Sequence, residues 1–234
     1  MSNAKPVFTI AAVVAAFALL IGLGTWQLAR RAEKQALIAL IESRMAAPPV
    51  PLPAVIGDAA AFDYRRVVVA GRFLHGKEMR VLNRVLDGRA GVHVVTPLAR
   101  DGATAVLVNR GWAPGDHATP VLPLAGAGGE RVTVTGIARV PRPPGPFVPA
   151  NAPARGLWYA LDIAVMAAAR DLGPVAPVVV WADTAPGDAG GYPRGGQAPP
   201  MPQDNHLSYA LTWYSLALAL AVIVVIARRR APRG

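Results

Sequence analysis

Cysteine is absent from this 234-residue chain, which excludes disulfides, zinc-thiolate sites, covalent haem attachment and thiol catalysis. Charge is scarce: 16% of residues are Asp, Glu, Lys or Arg against 53% hydrophobic, too apolar for a disordered chain and too uneven for an ordinary soluble one. Serine occurs only at Ser2, Ser43, Ser208 and Ser215, none in a nucleophile elbow. The carboxylates are scattered and no H-E-x-x-H motif is present. The glycine clusters lack the strand, following helix and Lys-Ser/Thr of a phosphate loop, and read as turns. No nucleophile and base stand together to support a membrane-anchored hydrolase, so the chain reads as a non-enzyme.

What is present is two uncharged runs, Pro6 to Ala29 and Leu207 to Ala227, each long enough for the roughly 20 residues that cross a bilayer as a helix. The formal net charge is +10 and the pI about 11.0. Residues 30–205 nevertheless hold 19 of the 24 basic and all 14 acidic residues, which leaves that segment at +5. There is no basic stripe with interleaved aromatics, and the densest cluster, Arg228-Arg229-Arg230, abuts a hydrophobic run; the expectation is a lipid bilayer as partner and no nucleic acid.

The first run, preceded by Lys5, has the look of a signal peptide, but its length, its continuation through Trp26 and the lack of a small-x-small cleavage site favour a retained anchor. The basic cluster after Ala227 reads as a stop-transfer signal that places the C-terminus in the cytoplasm, and two spans put the N-terminus there as well. Arg30, Arg31 and Lys34 taken alone invert this orientation. The C-terminal cluster carries more weight, because no Lys or Arg precedes the second span until Arg194, and a long connecting domain translocates largely regardless of charge. Trp26, Tyr209, Trp213 and Tyr214 fall at the outer ends of the spans. The reading is residues 1–6 cytoplasmic, 7–29 first span, 30–204 a periplasmic β-rich domain, 205–227 second span and 228–234 a cytoplasmic basic tail.

Between the spans, Leu37, Ile38, Leu40 and Ile41 among Lys34, Gln35, Glu42 and Arg44 predict a helix over Lys34 to Met45, stopped by Pro48, Pro49, Pro51 and Pro53. Strand character follows in Tyr64–Phe73, Glu78–Leu86, Val92–Leu98, Ala105–Trp112 and Arg131–Ala138, punctuated by Gly71, Gly88, Gly102 and Gly126-Ala127-Gly128-Gly129. A helix from Leu161 or Asp162 to Leu172, a last strand Pro177–Ala182 and a Pro/Gly-rich return loop Thr184–Gln203 complete the domain. Regular turn spacing without intervening helices predicts an α+β membrane protein. Two transmembrane helices flank a mainly antiparallel sheet or small barrel with one or two helices.

Three of the four histidines, His75, His93 and His117, read as ordinary structural or surface residues. His206 differs, because Asp204 or Asn205 can cap a helix beginning just before it, and the positive end of a helix favours the neutral ring that can ligate a metal. Tyr209, Ala210 and Trp213 stand at i+3, i+4 and i+7 from it, a stripe able to hold a flat, apolar, metal-bearing ligand such as a haem. An interfacial histidine above an aromatic belt has the same spacing, and periodicity leaves the two readings open. Asn109-Arg110-Gly111-Trp112 is open in the same way. It is either a strand end where Gly111 permits a turn and Trp112 covers the core, or a partner-facing patch in which Arg110 and Trp112 supply residue types enriched at interface hot spots.

Taken in order, these residues resemble the Surfeit locus protein 1 family of cytochrome c oxidase assembly factors over nearly the full length. The resemblance rests on Gly24-Thr25-Trp26-Gln27-Leu28 with Arg30 and Lys34, Tyr64-Arg65-Arg66-Val67 leading to Gly71 and Phe73, and Thr96-Pro97-Leu98. It continues through Val106 to Trp112 with Pro114, Val134-Thr135-Gly136-Ile137, Trp158 and Tyr159 before Asp162, Gly190-Gly191-Tyr192-Pro193, and Asn205-His206-Leu207 with Tyr209-Ala210 and Thr212-Trp213-Tyr214. Arg31, Glu33 and Asp204 depart from the family's pattern, which has an apolar residue and a tryptophan near the first helix and asparagine before the second. The resemblance implies a two-pass protein that assists maturation of the catalytic subunit of cytochrome c oxidase. For bacterial members it implies the inner membrane, handling of haem a with His206 as iron ligand beside Tyr209 and Trp213, and haem a synthase as a second candidate partner. The alternative within the same family frame is a haem-independent scaffold that stabilises an oxidase assembly intermediate.

Overall fold

The structure, a computed structural model, describes residues 4–115, 129–184 and 191–230. His117, Gly126-Ala127-Gly128 and Gly190 lie outside the described residues. The elements run α1 (Ala4–Ala46), β1 (Val50–Pro51), β2 (Arg66–Phe73), β3 (Met79–Leu86), β4 (Arg89–Ala99), β5 (Ala105–Pro114), β6 (Val132–Arg139), α2 (Ile163–Ala169), β7 (Val175–Ala182) and α3 (His206–Arg230). Two compact units result, one of Met1–Leu40 with Met201–Gly234 and one of Ile41–Pro200.

In the helical unit, Phe8–Ala46 and His206–Arg230 are each long and apolar enough to cross a membrane, and few of their side chains are buried. Two such helices flanking a central domain make this a two-pass membrane protein. The sequence suggests a break between the first span and the Lys34–Met45 helix, but α1 is continuous. No Pro intervenes before Pro48, and the change from apolar to amphipathic composition alters which faces are wetted without interrupting backbone hydrogen bonding. The helices meet through small residues. Ala210 and Ala217 are buried, and a Cβ added to Gly24 would stand 2.6 Å from the Tyr214 ring. The hydroxyls of Thr25 and Tyr214 approach to 3.1 Å across this seam.

The central unit is a seven-stranded sheet in the order β1-β2-β6-β7-β5-β4-β3. A further antiparallel pairing of Phe73 with Leu98 and Arg72 with Ala99 joins β2 to β4, so that β2, β6, β7, β5 and β4 form a closed ring. The pairings are antiparallel except β1 with β2 and β5 with β7. Alternation explains the core. Val67 and Val69, Val106 and Val108, and Val178 and Val180 lie in one buried cluster, while Leu107 and Val179 join Trp158 and Met166 of α2 in another. Strands β5 and β7 are thus buried on both faces, which is why they read as unbroken apolar runs. Asp162 caps α2 by accepting from the Val165 N–H at 3.1 Å.

The Pro48–Pro53 linker and most strand positions follow the turn spacing, but Gly111 is not at a strand end. It sits inside β5 at φ 125°, opposite a register shift between Val94 and Val95, and its α-carbon is approached by the Arg194 carbonyl. There the Trp112 N–H donates to the Arg194 carbonyl at 3.0 Å and the Arg194 N–H returns a bond at 2.7 Å. Gly111→Ala combines a glycine-only backbone conformation with a steric collision. It is expected to destabilise the central domain by about 2 kcal/mol or more, read as a lowered denaturation midpoint.

Candidate functional site

His206 opens α3 with its N–H donating to Asp204 Oδ1 at 3.0 Å, so Asp204 is the residue that caps the helix. Its ring Nδ1 lies 2.7 Å from Gln27 Oε1 on α1. A glutamine carbonyl oxygen only accepts, so Nδ1 carries a proton, and in the neutral ring the lone pair is then on Nε2. Among the described residues no hydrogen bond occupies Nε2. A neutral imidazole oriented by an Nδ1–H bond and offering Nε2 is the usual arrangement of a metal-ligating histidine.

The stripe that follows divides between two environments. Ala210 is buried and Trp213 half-buried, whereas Tyr209 stands at the edge with 57% of its surface exposed. Thus His206 and Tyr209 present an open imidazole and an accessible aromatic face one turn apart, with Trp213 one turn further on.

Arg110 and Trp112 are not a surface patch. Arg110 is 7% exposed, 3.3 Å from Glu78 Oε2 and with its guanidinium 5.4 Å from the Phe73 ring centroid. Trp112 is 1% exposed, donates from Nε1 to the Arg84 carbonyl at 3.2 Å and meets Tyr192 edge-on at 5.9 Å. Its ring also covers Gly91, where a Cβ has no room. Of the two readings of this motif, Trp112 as a cover for the core fits the burial, and a partner finds neither side chain on the surface of this fold.

His93 was an ordinary strand histidine on sequence grounds, yet its surroundings are unusual. Asn109 Oδ1 accepts from the Gly111 N–H at 3.1 Å, which turns its amide nitrogen toward His93 Nδ1 at 3.2 Å. Nδ1 therefore accepts and Nε2 carries the proton. The ring packs edge-on against Trp181 with centroids 5.1 Å apart. Burial, and secondarily the charge of Arg84, pull its pKa from 6.5 to about 4. An unfolded chain takes up a proton on this histidine below pH 6.5 that the folded chain refuses until about pH 4, so stability falls as pH drops through that window and levels off below it. His93→Gln is expected to flatten this part of the profile, seen as a smaller difference between melting midpoints at pH 7 and pH 4.5 than in the parent.

The SURF1 family model matches residues 14–218. The chain belongs to the SURF1 family. It is similar to a SURF1-like protein of Monosiga brevicollis, 38% identical over 225 residues that cover 91% of this chain and 85% of that one. It is also 37% and 35% identical to Surfeit locus protein 1 of Mus musculus and Homo sapiens, in each case over 86% of this chain and about 70% of the relative. Arg31 Nε and Asp204 Oδ2 stand 3.6 Å apart, so a cation on α1 meets the carboxylate that caps His206.

Proposed function

We propose that this protein is a non-enzymatic assembly factor. It holds haem a at the outer membrane face and passes it to the apo catalytic subunit of a haem–copper cytochrome c oxidase, with haem a synthase as the donor. Membership of the SURF1 family over residues 14–218 carries the assembly role. The tautomer that Gln27 imposes on His206 supports the haem role, because it leaves Nε2 available as an iron ligand. Tyr209 and Trp213 would pack the ring, and the anionic propionates suit the N-terminus of α3.

The reading extends to place. We place it in a bacterial inner membrane, and the Arg228-Arg229-Arg230 cluster supports the orientation with both termini cytoplasmic and the central domain periplasmic. Deleting the protein should lower the amount of assembled oxidase together with its high-spin haem. Unchanged oxidase content would contradict the assembly role.

A further inference from the structure

The central domain contains a cleft of about 640 Å³, within the size range of sites that enclose small organic ligands. Its lining comes from β3, β4, β7 and the loop after β6, and it includes three arginines and no Asp or Glu. The arginines are unequal. Arg139 is engaged, with Nε 3.0 Å from Asp63 Oδ1 and its guanidinium 3.4 Å from the Tyr64 ring centroid. Arg84 donates only to backbone carbonyls, those of Asn83 at 3.1 Å and Tyr159 at 3.2 Å. No carboxylate offsets its half-buried charge, and burial holds its pKa below the ordinary arginine value. Arg142 is exposed and, among the described residues, has no hydrogen bond or ion pair.

Two uncharged donors share the wall. His93 Nδ1 is occupied by Asn109, so its Nε2–H is the free nitrogen, and no described residue accepts from it. Trp181 is 8% exposed, and its indole N–H is buried with no acceptor. A buried N–H without an acceptor is destabilising, and a ligand oxygen would recover that cost. Apart from the Asn83 amide and the Tyr159 hydroxyl, the remaining wall is apolar. Phe147 is 97% exposed on a loop stiffened by Pro141, Pro143, Pro144 and Pro149, a large aromatic with no core to join.

We propose that this cleft binds a small organic anion, a monocarboxylate with an aromatic or otherwise apolar body. Its oxygens lie against Arg84, Arg142 and the two N–H donors, and its body lies against Trp181, Tyr159 and Phe147. The charged groups of the cleft are all cations and its buried unpaired N–H groups are donors, so an anion answers both, whereas a neutral ligand leaves the Arg84 and Arg142 charges without a counter-charge and a cationic one is repelled. The site is built from the central domain alone, and its test is separate from that of haem binding at His206.

The full chain, purified in dodecyl maltoside, is dialysed to equilibrium against 1-naphthoate or its uncharged analogue 1-naphthalenemethanol, with empty micelles as reference. Naphthoate should be retained about tenfold more tightly than the alcohol, equivalent to roughly 1.4 kcal/mol. Arg142→Gln, an exposed change that leaves the fold intact, should weaken naphthoate about fivefold and leave the alcohol unmoved, and Phe147→Ala should weaken both. The proposal is overturned if the protein holds no more naphthoate than empty micelles, if the alcohol binds equally well, or if Arg142→Gln retains naphthoate as the parent does.

Discussion

Trp112→Ala should cost the central domain about 3–5 kcal/mol and leave little folded protein in the membrane. The residue is 1% exposed, lies over Gly91 and packs edge-on against Tyr192. Truncation opens a cavity between β4, β5 and the returning chain. It also deprives the Arg84 carbonyl of its indole donor and loosens the segment tied to Trp112 by two backbone bonds with Arg194. Trp112→Phe, which keeps most of the ring but not the N–H, should cost about half as much. Abundance in the membrane fraction, together with the urea midpoint of purified protein, distinguishes this outcome from loss of a docking residue. A variant that folds as well as the parent but no longer copurifies the oxidase subunit would speak for a surface role instead.

The second large effect falls on function and spares the fold. His206→Ala should lose bound haem while insertion, abundance and the central domain stay intact. The imidazole sits at the start of α3, the helix remains long and apolar without it, and Asp204 still caps the backbone N–H. What disappears is the iron ligand on which haem retention would depend. Gln27→Leu should give an intermediate loss, because Nε2 remains but the bond that fixes its tautomer is gone. Tyr209→Phe should be mild, since the exposed ring is kept and only a hydroxyl removed. Haem per protein, measured as the pyridine haemochrome of purified variants, orders the three. Full haem retention by His206→Ala would sink the ligand assignment and favour the scaffold reading.

Much of this was legible from spacing. The six long strands lie close to the segments bounded by Gly88, Gly102 and the Pro-rich linkers, because Gly88 and Gly102, both at positive φ, take up the turns between strands. The cap at Asp204 was one of two candidates that a single side-chain oxygen decides. Closure of the ring was not legible, since it depends on the register that brings Phe73 to Leu98, and local alternation carries no information about a partner 25 positions away. The continuity of α1 is not legible either, because a shift from apolar to amphipathic composition marks a change of surroundings and carries no information about a break in the backbone.

The candidate sites divide along the same line. His206 stood out through its position at the head of an apolar run, but its tautomer comes from Gln27, 179 residues distant. The motif at Arg110 and Trp112 could equally be core or surface until burial was seen, because tryptophan and arginine are enriched in both settings. His93, Arg84 and Trp181 gave no sequence signal at all. They are brought together by strand pairing, and only the geometry reveals two indole and imidazole N–H groups and a guanidinium without acceptors of matching charge.

The absorption spectrum of the parent protein, purified from cells that make haem a, tests the central claim most directly. Holding haem a through His206 predicts a haem a spectrum that copurifies with the protein and is absent from His206→Ala prepared in parallel. A parent protein that purifies folded and abundant but colourless from those cells would contradict it.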